Sequence, residues 1–143
     1  METSQRGTES DVRSDLADER TIRRLMARYF HLVDDGAFDE LAALWTDDAE
    51  LVLRGETATG PAAIVAVIAG RQTPELRGLH MGANAIIDVD GDAARAVSDF
   101  VFMRREGGPD PIVKFIGRYL DRFVRTPDGW RFRRREIQLR GSS

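Results

Sequence analysis

The stretch "LHMGANAIIDVDGDAARAVSDFVFMRR", residues 79–105, decides how the rest of the chain is read. Two apolar runs flank the pair Asp90–Gly91, a strong short-range signal for a β-hairpin. Side chains alternate across a strand, so His80, Gly82, Asn84 and Ile86 share one face if the first strand is unbroken. On the partner strand Ala96, Ser98, Phe100 and Phe102 form one face, and Val97, Asp99, Val101 and Met103 the other. The aromatic face is the better wall for a pocket. Downstream, residues 111–139 repeat the design with "TPDG" at the turn, and "EGGPDP" links the two hairpins.

Upstream of this stretch the period changes. Ile22, Leu25, Met26, Tyr29, Leu32 and Val33 recur at helical spacing, predicting an amphipathic helix with Asp18 as its N-cap and Gly36 as its left-handed stop. "FDELAALW" predicts a short second helix presenting Phe38, Leu41, Leu44 and Trp45. "TDDAELVLRG" reads as a turn and a single strand. "GPAAIVAVIAGR" places proline in a first helical turn, and its nearly all-round apolar pattern predicts a mostly buried helix. Three helices in the N-terminal half, then four long antiparallel strands, give an α+β fold with helices packed on the concave face of a curved sheet. Residues 1–17 are polar and predict a disordered tail, the closing "GSS" predicts a frayed end, and residues 18–140 form one domain.

The bulk composition narrows the function. The net charge of −3 offers no basic excess for a nucleic acid. The arginine-rich run "WRFRRREIQLR" alternates with Phe132, Ile137 and Leu139, as one solvated face of a strand would. Zero cysteines exclude disulfides, thiolate metal sites and cysteine nucleophiles together. Two histidines more than forty residues apart make a poor metal set, and no phosphate-binding glycine motif occurs, so no cofactor is expected. No apolar run approaches the length of a membrane helix and no signal-peptide core follows Met1; a soluble, cytoplasmic chain without a membrane partner is the expectation.

The order of elements, with "RYFHLVDDGAFDELAALWTDDAEL", "TGPAAIVAVI", "LHMGANAIIDVDGDAA" and "GRYLDRFVRTPDGWRFRRREI", resembles the NTF2-like superfamily, in particular its SnoaL-like and scytalone dehydratase-like branch. The resemblance covers residues 18–140 and implies a cone-shaped fold: sheet and helices enclose a deep, largely apolar pocket for a small apolar molecule. It also implies a homodimer or a larger homo-oligomer. Such cones serve dehydratases, dehydrohalogenases, polyketide cyclases, isomerases and non-catalytic modules alike, so the pocket residues must carry the function.

In scytalone dehydratase and its dehydrochlorinase relatives a histidine opening the first long strand pairs with an aspartate ending the first helix. The matching positions are His80 and Asp34. A neutral imidazole is a competent base near pH 7, and a carboxylate on its other nitrogen fixes the tautomer and stabilises the imidazolium that forms. The resemblance therefore implies a cofactor-independent lyase, isomerase or cyclase; the alternative is a non-catalytic binding or interaction module. His80 by itself also fits a hydrogen-bonded structural residue, and Asp35 competes with Asp34. Tyr29 fits either the core or a substrate oxygen, Asn84 either the pocket or a bulge, and Arg135 either a substrate oxygen or an ion pair with Asp34 or Glu136. Phe100 and Phe102 are expected to line the pocket, and Trp45, Trp130, Tyr119 and Phe123 the core or pocket. His31 is expected at the surface. Two departures stand out: "VSDFVFMRR" carries no second histidine, and "DDAELVLR" carries no second pocket tyrosine.

Overall fold

The computed structural model describes residues 8–141. In chain order it has α1 (Glu9–Asp35), α2 (Phe38–Ala42), β1 (Trp45–Leu53), β2 (Glu56–Thr59), α3 (Pro61–Arg71), β3 (Leu79–Asp90), β4 (Ala93–Arg105), β5 (Pro111–Thr126) and β6 (Gly129–Arg140). The strands form one curved six-stranded sheet in the order β2-β1-β6-β5-β4-β3. Both expected hairpins form where their turn residues place them. Asp90 pairs with Ala93 around Gly91, whose φ is +62°, and Thr126 pairs with Gly129.

Four local expectations are corrected. The strand expected in "TDDAELVLRG" forms as β1 but already begins at Trp45, and Arg54 and Gly55, with φ of +54° and +79°, turn it into a second strand, β2, that was not expected. Two residues of positive φ match the twist of the flanking strands, but Arg-Gly lacks the Asn or Asp that announces such a turn. Next, the sheet is not wholly antiparallel, because β1 runs parallel to β6. The whole of β2–β5 lies between them in sequence, ample chain for the crossover that parallel neighbours need.

The first helix begins at Glu9, not at Asp18. Thr8 caps it: its hydroxyl accepts from the Asp11 N–H at 3.1 Å, and the Asp11 carboxylate accepts from the Thr8 N–H at 3.1 Å. The part of the expected tail from residue 8 to 17 is thus an exposed helical extension; residues 1–7 and the final two serines of "GSS" lie outside the described residues. Asp18, nearly three turns inside the helix, instead clamps the far hairpin. It accepts from Arg125 at 2.9 and 2.7 Å and from the Trp130 indole at 3.1 Å. Lastly, α3 buries only Ile64 and Ile68. It covers the sheet with one face, and alanines 62, 63 and 66 point to solvent.

The core fills the concave side. Ile22, Leu25, Met26, Tyr29, Leu32 and Val33 of α1 are all buried, against Leu41, Trp45, Leu51, Phe123, Trp130 and Phe132. Each such side chain contributes about 1.5–3 kcal/mol by leaving water, which is why the spacing in α1 fixes its rotation on the sheet. Gly36 closes α1 at φ +70°, its N–H bonded to the Leu32 and Val33 carbonyls. That stop sets the last turn, and hence Asp34, against the start of β3. Among the described residues, no helix is long and apolar enough to cross a membrane.

Candidate active site

Phe30 and Asp34 lie one helical turn apart on the edge of α1 that meets β3. Both engage His80. Asp34 Oδ1 is 2.6 Å from His80 Nδ1, and Oδ2 accepts the His80 backbone N–H at 3.0 Å. The two side chains are only 10% and 8% exposed, so water competes little for these bonds. A carboxylate can only accept, so the ring carries its proton on Nδ1 and, when neutral, presents a lone pair at Nε2. The Phe30 ring stacks on the imidazole at 5.5 Å and 13°, and Phe102 lies 4.5 Å away on the partner strand. Gly82 makes room for this stack, because a Cβ there would sit 2.6 Å from Phe30 Cε2. Asp35 and His31 are exposed and take no part.

His80 opens into a cavity of about 340 Å³. Tyr29, Tyr119, Phe100 and Phe102 form its buried floor, and Val33, Leu51, Ile68 and Leu76 contribute apolar wall. Tyr119 stacks on Phe100 at 4.3 Å, and the two tyrosine rings are 6.3 Å apart. Burial raises the pKa of both phenols, that of Tyr119 well above the ordinary value, and the Asp34 charge adds to the effect. Both therefore stay protonated at neutral pH and can donate to a substrate oxygen. Tyr119 thus brings the second phenol that the β1 segment lacks.

Three residues expected at the substrate lie elsewhere. Asn84 has φ +57° at a bulge between Ala83 and Ile86 and donates to Asp99 at 3.0 Å on the exposed face. The bulge breaks the alternation that would have kept it beside His80. Trp45 is core, tilted against Phe132 at 4.9 Å, and does not line the cavity.

Arg135 is fully buried and forked onto Asp121, at 2.7 Å from Nε and 2.8 Å from Nη2, rather than paired with Asp34 or Glu136. Its guanidinium lies 3.7 Å from the Tyr119 ring centre and 4.3 Å from that of Tyr29. Burial alone would lower its pKa, but the charge and hydrogen bonds of Asp121 more than reverse this and keep it cationic. It supports the tyrosines from behind and does not reach the cavity.

Two contributors escaped the sequence reading. Phe30 was detectable as the i−4 neighbour of Asp34. Asp121 was harder to find: counting back from the "TPDG" turn pairs it with Arg134, and only a bulge after Arg122 shifts the partner to Arg135. Among the described residues, no three His, Cys, Asp or Glu side chains gather as a metal set.

The pattern of the SnoaL-like domain matches residues 14–136. The chain belongs to the SnoaL-like family. An uncharacterized protein of Mycobacterium tuberculosis is 31% identical over 138 residues, with 85% of each chain covered. An NTF2-like protein with a cystatin-like fold from Novosphingobium aromaticivorans superposes with TM-score 0.85 at 35% identity, over 99% of this chain and 94% of that one. A putative scytalone dehydratase from the same organism superposes with TM-score 0.79 at 28% identity, covering 90% and 87%. A hexachlorocyclohexane dehydrochlorinase from Novosphingobium barchaimii shares the fold, with TM-score 0.76 at 23% identity and 88% of each chain covered. The SnoaL-like cone expected from the sequence is the fold observed.

Proposed function

We propose that this SnoaL-like domain is a cofactor-independent lyase, isomerase or cyclase in which His80 Nε2 takes a proton from a carbon of a small, largely apolar substrate. One observation carries the reading. His80 is held on two sides by Asp34, at 2.6 and 3.0 Å, while its remaining ring nitrogen belongs to a residue lining a mostly apolar cavity. A histidine with only a structural role has no need of a cavity beside it.

The chemistry follows from the parts. Nε2 accepts the proton; the Asp34 carboxylate and the negative end of α1 stabilise the resulting imidazolium. Tyr29 or Tyr119 donates to the oxygen on which negative charge develops, at the buried end of the cavity. A leaving group on the adjacent carbon makes the outcome an elimination. Return of the proton elsewhere makes it an isomerisation, and attack of the carbanion on an internal carbonyl a cyclisation. The similarity to proteins described as a scytalone dehydratase and a dehydrochlorinase supports elimination first.

Chloride release from hexachlorocyclohexane and solvent-deuterium exchange into cyclic ketones test the proposal directly. We expect turnover in at least one assay, and a loss of about a hundred- to ten-thousand-fold in His80→Gln with the fold intact. Equal turnover in both proteins would remove His80 as the base, and ligand binding with no reaction in either would make the domain a binding module.

A further inference from the structure

The cavity wall is chemically uneven. Its floor is buried and aromatic, whereas its mouth carries exposed Arg54, Arg71 and Phe115. No Asp or Glu lines it. Of its three lining arginines, Arg104 is neutralised by Glu106 at 2.6 Å and donates to the Leu76 carbonyl at 3.3 Å. Arg54 and Arg71 make no ion pair among the described residues, although Glu56 shares a neighbouring groove with Arg71. Arg54 sits at φ +54° in a two-residue turn whose usual occupant is Asn, Asp or Gly. A long cation in a left-handed position calls for a role outside the turn. Next to Arg71, Gln72 is 8% exposed, lines the same cavity, and has its Oε1 buried without a hydrogen-bond partner. An unpaired buried amide oxygen is costly, and a rotation of the Gln72 side chain toward the cavity would let a ligand donor satisfy it.

We infer that the substrate carries a carboxylate on its apolar ring or chain. Arg54 and Arg71 hold that carboxylate at the mouth, the Gln72 amide meets a polar group further in, and the reacting carbon lies at the floor beside His80. Two unpaired guanidinium groups offer planar pairs of donors that match a carboxylate. A neutral substrate would leave both cations unused at the entrance. The inference names the substrate class of the site described above and rests on that reading of it.

Two probes of the same shape test it: 2-naphthoate and 2-naphthamide, titrated calorimetrically into the full chain. Histidine ring resonances serve as the position marker, since the chain has only two histidines. The acid is expected to bind about tenfold or more tightly than the amide, with the gap shrinking as salt is raised. His80 resonances shift and those of exposed His31 do not. The double variant Arg54→Gln/Arg71→Gln loses the preference while keeping its affinity for the amide. His80→Gln retains the preference, so failure of the proton-transfer reading and failure of the charge reading give different results. Equal affinities, a preference that survives the double variant, no binding of either probe, or shifts at His31 alone would each overturn the inference.

Discussion

His80 shows how little of a residue's chemistry belongs to the residue itself. Its tautomer is set by Asp34, its ring plane by Phe30, and the space for Phe30 by a missing side chain at Gly82. Gly82→Ala should therefore injure the proposed site without touching His80 itself. The new methyl forces Phe30 to rotate and frees the imidazole from its stack. Misplacement by about 1 Å costs up to roughly a hundredfold in rate, so turnover should fall ten- to a hundredfold while the melting temperature moves little. Adding Phe30→Leu relieves the crowding and should recover part of the loss. An unchanged rate in Gly82→Ala would mean that the stack does not orient the ring.

At the scale of elements, two charged clamps fasten pieces that hydrophobic spacing alone leaves loose. Asp18 ties α1 to the β5–β6 hairpin through Arg125 and Trp130. Hydrogen bonding from Arg125, then from Trp130, outweighs partial burial and lowers the Asp18 pKa. A carboxylate lowered in this way stabilises the fold above its unfolded pKa, and that contribution disappears as pH falls through the lower, folded value. Asp18→Asn should cost about 1–3 kcal/mol at pH 7. In urea titrations the gap from the parent should close below the ordinary aspartate range.

The second clamp is the buried pair Asp121–Arg135, which joins β5 to β6 behind the two tyrosines. Asp121→Ala strands a buried cation and should cost about 3–5 kcal/mol. Asp121→Leu combined with Arg135→Met should restore much of that stability. A double variant no more stable than Asp121→Ala would show that the charges carry packing that no apolar pair replaces.

The molecule as a whole has a covered face and a bare one. All the helices lie on the concave side, and the far side of β3–β5 carries apolar residues in cross-strand register, Leu79–Met103–Val113, Met81–Val101–Ile116 and Ile86–Val97–Leu120, of which Met103, Val101 and Leu120 are half-buried and the rest exposed. Contiguous apolar surface of this kind marks an interface. Near its centre Arg118 bonds Asp99 at 2.8 Å, so both signs of charge lie on the patch and a two-fold axis can match them. We propose that this is where the homodimer implied by the family resemblance forms. Light scattering should give a dimer mass for the parent and a monomer mass for Met81→Lys/Ile116→Lys, with probe binding in the cavity preserved. A dimer that survives the double substitution places the contact elsewhere.

The sequence by itself determined the elements that depend on local chemistry. Helical spacing from Ile22 to Val33, Gly36 as a stop, and Asp-Gly and Pro-Asp-Gly as turns are written in residue type and interval. With the family resemblance they sufficed for the cone and for the His80–Asp34 contact. Tertiary structure decided whatever depended on a shift of register or on a partner far along the chain. The bulge at Asn84 turned that residue outward, and the bulge after Arg122 gave Arg135 to Asp121. The helical extension to Glu9 shows the limit from the other side: a polar, exposed helix is held by its cap and by a clamp more than a hundred residues away, and no apolar period announces it. Strand alternation carries direction only while pairing is unbroken, so one extra residue reassigns every side chain beyond it.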